Sequence, residues 1–123
     1  MAIYLYVNAG LYALFAGLCT LNARGTATSL GYLTLSSGGR SEYLVIYGGL
    51  QFGLAIFFAL LASRPSMHAV GLMFALSLYL PIVIYRLVTV VAFRPVPLLT
   101  MAVAALESVL LVIGAVLWMR TRG

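Results

Sequence analysis

The chain has 123 residues, 64% of them hydrophobic and 7% charged, with a mean hydropathy of +1.14. That balance belongs to the integral membrane class, and the length to a single domain over residues 1–123. The net charge of +5 comes from arginines set against Glu42 and Glu107, without Lys or Asp. No basic run exists and nearly all the aromatics fall in apolar segments, so nucleic acid is excluded as a partner.

One cysteine, Cys19, excludes an intrachain disulfide and any cysteine-based metal cluster. No metal and no cofactor are expected. The start, Met1-Ala-Ile-Tyr, lacks a charged n-region, so the first apolar segment reads as a retained helix rather than a cleaved signal peptide. The pattern predicts an all-α membrane bundle of four helices, antiparallel and up-down-up-down, over about 3–21, 42–61, 69–93 and 98–118.

Helix 1 places Tyr4, Asn8, Tyr12, Phe15 and Cys19 on one stripe at spacings of four and three. Asn8 is the strongly polar member, read either as hydrogen-bonding glue to a neighbouring helix or as a ligand contact. Gly10 and Gly17, with Ala9, Ala13 and Ala16, offer a smooth surface for close helix approach. Cys19 in an apolar helix reads as an inert packed thiol.

Asn22 to Ser41 is a polar connection, long for a bundle loop, and such lengths accompany function or local structure. Its Leu30, Tyr32, Leu33 and Leu35 suit the interface or a cap on the bundle mouth, and Ser36-Ser-Gly-Gly39 is a turn signal. Helix 2 then starts at Ser41 as N-cap. Glu42 has two readings: an anion in the first turn, favoured by the helix dipole, or a second carboxylate for Arg86. Gly49-Leu-Gln-Phe-Gly53 is a GxxxG, a weakly specific packing signal that brings in Gly48, Gly49 and Gly53. Tyr47 and Gln51 lie four apart on an adjacent face. Gln51 suits a packed hydrogen-bonding role more than a ligand contact.

Arg64 and Pro65 end helix 2, with Ser66 as a cap for helix 3. His68, the sole histidine, falls at a predicted boundary and reads as interfacial; no second ligand completes a metal site. Helix 3 contains Pro81, which removes a backbone bond to residue 77 and predicts a kink. Tyr79 and Arg86 share a face. After the turn Phe93-Arg-Pro-Val-Pro97, helix 4 carries Glu107. Arg86 lies ten residues before Val96 and Glu107 eleven after it. In an antiparallel pair both sit roughly 15 Å from the turn, at ~1.5 Å per residue. A lone charge at that depth is expensive, so an internal Arg86–Glu107 ion pair is expected. Two carboxylates sharing Arg86 would be able to move a proton. Trp118 and Tyr4 suit an aromatic belt, and Arg120-Thr-Arg122 is a short basic tail.

Gly39-Arg-Ser-Glu42, Tyr47-Gly-Gly49 with Gly53, Tyr85-Arg-Leu87 and Glu107 together resemble a family of small bacterial four-helix membrane proteins, catalogued only as a domain of unknown function. The resemblance spans nearly the whole chain. It implies an inner-membrane protein whose polar motif positions are Arg40, Glu42, Tyr47, Gly48, Gly49, Arg86 and Glu107, and it carries no activity.

Two functions fit these residues. One is a site for a small amphiphilic or lipid-like ligand, built from Glu42, Arg86 and Glu107 with Arg40, Tyr47, Gln51, Asn8 and Tyr79 around it. The other is an accessory subunit, of a homo-oligomer or a larger membrane complex, whose ion pair only fixes register. Catalysis is the least supported reading: there is no nucleophile–base set, metal cluster or glycine-rich phosphate loop. A slight arginine excess, with Glu42 neutralising Arg40, predicts both termini in the cytoplasm.

Overall fold

The structure is a computed structural model that describes residues 1–123. It is all-helical, without strands: α1 (Ala2–Leu21), a short α2 (Ala23–Ser29), α3 (Ser37–Ala62), α4 (His68–Ala92) and α5 (Leu98–Arg122). All but α2 are long and apolar enough to cross a membrane.

Asn22 closes α1 and opens α2. Its backbone N–H bonds to Leu18 O, and its side chain accepts from Gly25 N–H at 3.2 Å. The long polar connection therefore carries local structure: it begins as a helix, followed by a turn at Gly31 (φ 102°), a conformation that favours glycine. The start of α3 also differs from expectation. Ser36, not Ser41, is the cap, its Oγ accepting from Gly39 N–H at 3.1 Å. Gly38 and Gly39 thus lie in the first turn rather than before it. Glu42 falls beyond that turn, so the dipole reading of Glu42 is overturned. Within α3, Leu44–Leu50 forms wide i→i+5 turns before ordinary α geometry resumes at Gln51.

Pro65 opens a 3₁₀ turn, Pro65–Met67, leading into α4. Ser66 makes no cap; instead His68 Nε2 contacts Ala62 O at 2.8 Å, supplying a partner for a terminal carbonyl of α3. Pro81 lies inside α4, which is continuous from His68 to Ala92. The expected tail is helical: α5 runs to Arg122, whose guanidinium lies 4.7 Å from the Trp118 ring centroid.

α1 packs mainly on α3, and α4 mainly on α5. The core is Tyr4, Leu5, Ala9, Phe58, Leu61, Ala62, Leu72, Ala75, Tyr79 and Leu110, contributed by all four long helices. A smaller cluster of Cys19, Ala23, Ala27 and Tyr43 closes the other end, beneath Leu30 and Leu35. Tyr4 is 6% exposed and donates its hydroxyl to Leu110 O at 2.7 Å, so it is a core residue and not part of a belt.

Close approach occurs at glycines other than those expected. A Cβ on Gly71 would meet Leu5 at 2.7 Å, and one on Gly114 would meet Tyr4 Oη at 2.7 Å. Gly48 packs as expected, against Thr20. Gly49 and Gly53 face outward into open space, as do Gly10 and Gly17, so the GxxxG does not seat a helix of this chain. Gly114→Ala is expected to lower stability by about 1–3 kcal/mol, because the tethered Tyr4 ring cannot yield. Gly10→Ala is expected to be neutral or stabilising by up to about 1 kcal/mol. Thermal denaturation in detergent separates the two.

Candidate functional site

The charged centre joins α4 to α5. Arg86 Nε donates to Glu107 Oε1 at 2.8 Å, with side-chain exposures of 34% and 13%. It is the sole ion pair of the chain. Both residues stand well inside their helices, and each helix needs no propensity help: they are runs of Leu, Val, Ile and Ala. A carboxylate this enclosed is stable there because the guanidinium meets it. Arg86 has five N–H donors, and only Nε–H finds a protein acceptor. The outer edge of the guanidinium is therefore free to bind an oxygen ligand.

Aromatic rings from α1, α3 and α4 pack together in the core. Tyr12 stacks on Phe58 at 5.8 Å between centroids and on Tyr79 at 6.5 Å. Tyr79 donates its hydroxyl to Asn8 Oδ1, and Asn8 Nδ2 donates to Tyr4 O at 2.8 Å. Asn8 is 0% exposed with both ends of its amide engaged. That satisfies the glue reading and leaves nothing for a ligand to bond.

Three expected members, Glu42, Arg40 and Gln51, stand away from the pair. Glu42 is exposed and makes no ion pair with Arg86, so the two-carboxylate arrangement, and proton movement based on it, are not what the fold builds. Glu42 instead lines a cavity of about 350 Å³ with Tyr32, Tyr43 and Tyr47. Arg40 lines a second cavity, of about 340 Å³, on the Arg24 side. It makes no ion pair with Glu42. Gln51 donates within its own helix, to Ile46 O at 3.4 Å.

Tyr47 belongs to the Glu42 cavity. Its hydroxyl meets that of Tyr32 at 3.0 Å. Its ring stacks on Tyr43 at 4.6 Å and meets Phe15 edge-on at 6.1 Å. Tyr43 donates to Thr26 Oγ1 at 2.8 Å, with Cys19 Sγ 3.6 Å away, tying α3 to α2 and α1. No group of three His, Cys, Asp or Glu side chains is close enough to hold a metal ion.

Comparison of the chain with protein-family models, with curated proteins and with solved structures finds no match. The site's chemistry therefore has to be read from its own residues. Sequence reasoning missed Tyr12 as the ring between Phe58 and Tyr79, and missed Tyr32 and Tyr43 beside Tyr47. Tyr12 carried a signal, since it shares the stripe of Tyr4 and Asn8. Tyr32 carried none, because its place depends on the turn at Gly31 bringing it back over α3.

Proposed function

We propose that this chain is an integral membrane protein that binds a small amphiphilic or lipid-like ligand at the free edge of Arg86. Four helices cross the bilayer up-down-up-down in an antiparallel bundle. Support for the crossing is the surface. Only 23 of 123 residues are buried, while Ile3, Leu14, Leu21, Ile56, Val88 and Leu98 face outward. A water-soluble chain would not leave so many large apolar side chains uncovered, whereas lipid solvates them. Support for the antiparallel order is that Tyr4, near the start of α1, lies against Gly114 in the second half of α5, and Leu5 against Gly71 at the start of α4.

The observation that carries the ligand reading is the partly used guanidinium. In hydrocarbon an N–H without an acceptor costs several kcal/mol by order of magnitude. An incoming carboxylate, phosphate or quinone-type oxygen removes that cost. A bacterial inner membrane is the location that the family resemblance supports. Arg24, Arg40 and Arg94 at one end face Arg64, Arg120 and Arg122 at the other.

A second reading, an accessory or self-associating subunit, is favoured by the open Gly49–Gly53 face. Native mass spectrometry of detergent-purified protein, with extraction of whatever stays bound, tests the two. Wild type is expected to hold one defined amphiphile that the charge-neutral double variant R86A/E107A loses while remaining folded. If the double variant keeps the same adduct, or wild type carries none and runs as a defined oligomer, ligand binding at Arg86 is wrong.

A further inference from the structure

The cavity on the Arg24 side is built differently from the Arg86 centre. The Tyr32–Leu35 segment forms a strap across it, and Ala23, Arg24, Ala27 and Thr28 of α2 line it together with Arg40 of α3. Arg24 and Thr28 lie four residues apart and share a face of α2. Two arginines from separate elements thus line one space of about 340 Å³ with no carboxylate in its lining. Glu107 is held by Arg86, and Glu42 lines the neighbouring cavity.

An anion suits that arrangement. Arg24 and Arg40 are both exposed, and neither has a side-chain hydrogen bond or ion pair within the chain. Arg40 also stands one turn from the cap of α3 at Ser36, the end where the helix dipole opposes a cation. A tetrahedral oxyanion between Arg24 and Arg40 suits both side chains, because the planar fork of arginine matches phosphate in bidentate fashion. Thr34 adds a hydroxyl with no partner of its own in the fold. The remaining walls, Ala23, Ala27, Leu33 and Leu35, are apolar, and Leu33 projects 96% exposed from the strap. Such a wall suits the first carbons of an acyl chain.

We propose that this cavity is a phosphate-binding site, taking either the headgroup of an anionic lipid or a free phosphate. It is independent of the Arg86 reading, since Arg86 and Glu107 do not line it.

The test uses the full chain in mild detergent, with dioleoylphosphatidylglycerol, sodium phosphate or phosphate-free dioleoylglycerol supplied separately. Native mass spectrometry counts lipid adducts and calorimetry follows phosphate. One phosphatidylglycerol is expected to bind and dioleoylglycerol not. Arg24→Gln and Arg40→Gln each weaken binding about tenfold, and together about a hundredfold. R120Q/R122Q, which removes the same charge at the other end, leaves binding unchanged. Arg86→Ala retains this adduct, so failure here and failure of the Arg86 reading are told apart. If sodium phosphate binds and displaces the lipid, the free ion is the recognised species; if it does neither, the lipid headgroup is. Equal binding by wild type and R24Q/R40Q overturns the proposal, as does an equal loss in R120Q/R122Q. So does the absence of binding by both phosphate probes. Both arginines are free of contacts the fold depends on, and an unchanged far-UV spectrum verifies that the variants are folded.

Discussion

Arg86→Ala is expected to destabilise the protein by about 3 kcal/mol, and the double variant R86A/E107A by markedly less. Removing the arginine leaves a carboxylate that is 13% exposed, between apolar helices, without its counter-charge. Two independent scales give the size. Breaking one side of a buried pair costs about 3–5 kcal/mol, and placing a lone charge in a membrane-spanning helix costs roughly 2.5–3.5 kcal/mol. The lower end applies because Arg86 is 34% exposed and its long side chain can lean toward polar surroundings. Removing both partners removes the uncompensated charge, so the coupling energy between the sites is expected to reach about 2 kcal/mol. Denaturation in mixed micelles, followed by the fluorescence of Trp118, measures the cycle. Additive single effects below about 1 kcal/mol would mean a pair solvated by water, as surface pairs are. In that case the centre would lose its claim to bind a ligand oxygen in a dry setting.

The depth of this pair was legible because it follows from counting. A helix advances by a fixed rise, so two charges equidistant from a proline turn meet if the arms lie side by side. The four long apolar segments were legible for a similar reason: length and hydropathy alone decide whether a helix can span hydrocarbon. Features that depend on competition between neighbouring signals were not. Ser36 and Ser41 are both good caps, and nothing local ranks them. The earlier one wins in the fold, and with it Glu42 moves out of the first turn. Asn22 serves two helix ends at once, which hid α2 inside a stretch that reads as a loop. The glycines show the limit most clearly. Small residues mark where a helix can be approached, not where it is. Gly71 and Gly114, isolated in sequence, are the ones pressed by Leu5 and Tyr4, while the GxxxG points away. The Tyr32–Tyr43–Tyr47 cluster required knowing where the strap returns, which is long-range information.

Asn8→Ala is expected to cost about 2–4 kcal/mol, more than any other single polar substitution outside the ion pair. Asn8 accepts from Tyr79 and donates to Tyr4 O, and Tyr4 in turn donates to Leu110 O, so the Asn8 amide joins α1 to α4, beside the separate Tyr4 link from α1 to α5. A hydrogen bond between membrane helices is worth only about 0.6 kcal/mol on average, and that is the effect expected of Tyr79→Phe to first order. Asn8→Ala differs in kind. It leaves the Tyr79 hydroxyl, on a side chain 2% exposed, without an acceptor, and it opens a cavity at a position that is 0% exposed. An orphaned buried donor costs about 1–3 kcal/mol, and the cavity adds to it. The double variant N8L/Y79F replaces both polar partners with apolar groups and is therefore expected to recover most of the loss. The same denaturation assay decides it. If Asn8→Ala costs no more than Tyr79→Phe, the Tyr79 hydroxyl has found water, and the core around the charged centre is wet. A wet core would also hydrate the free edge of Arg86, so this variant bears on the ligand reading from a residue that touches neither Arg86 nor Glu107.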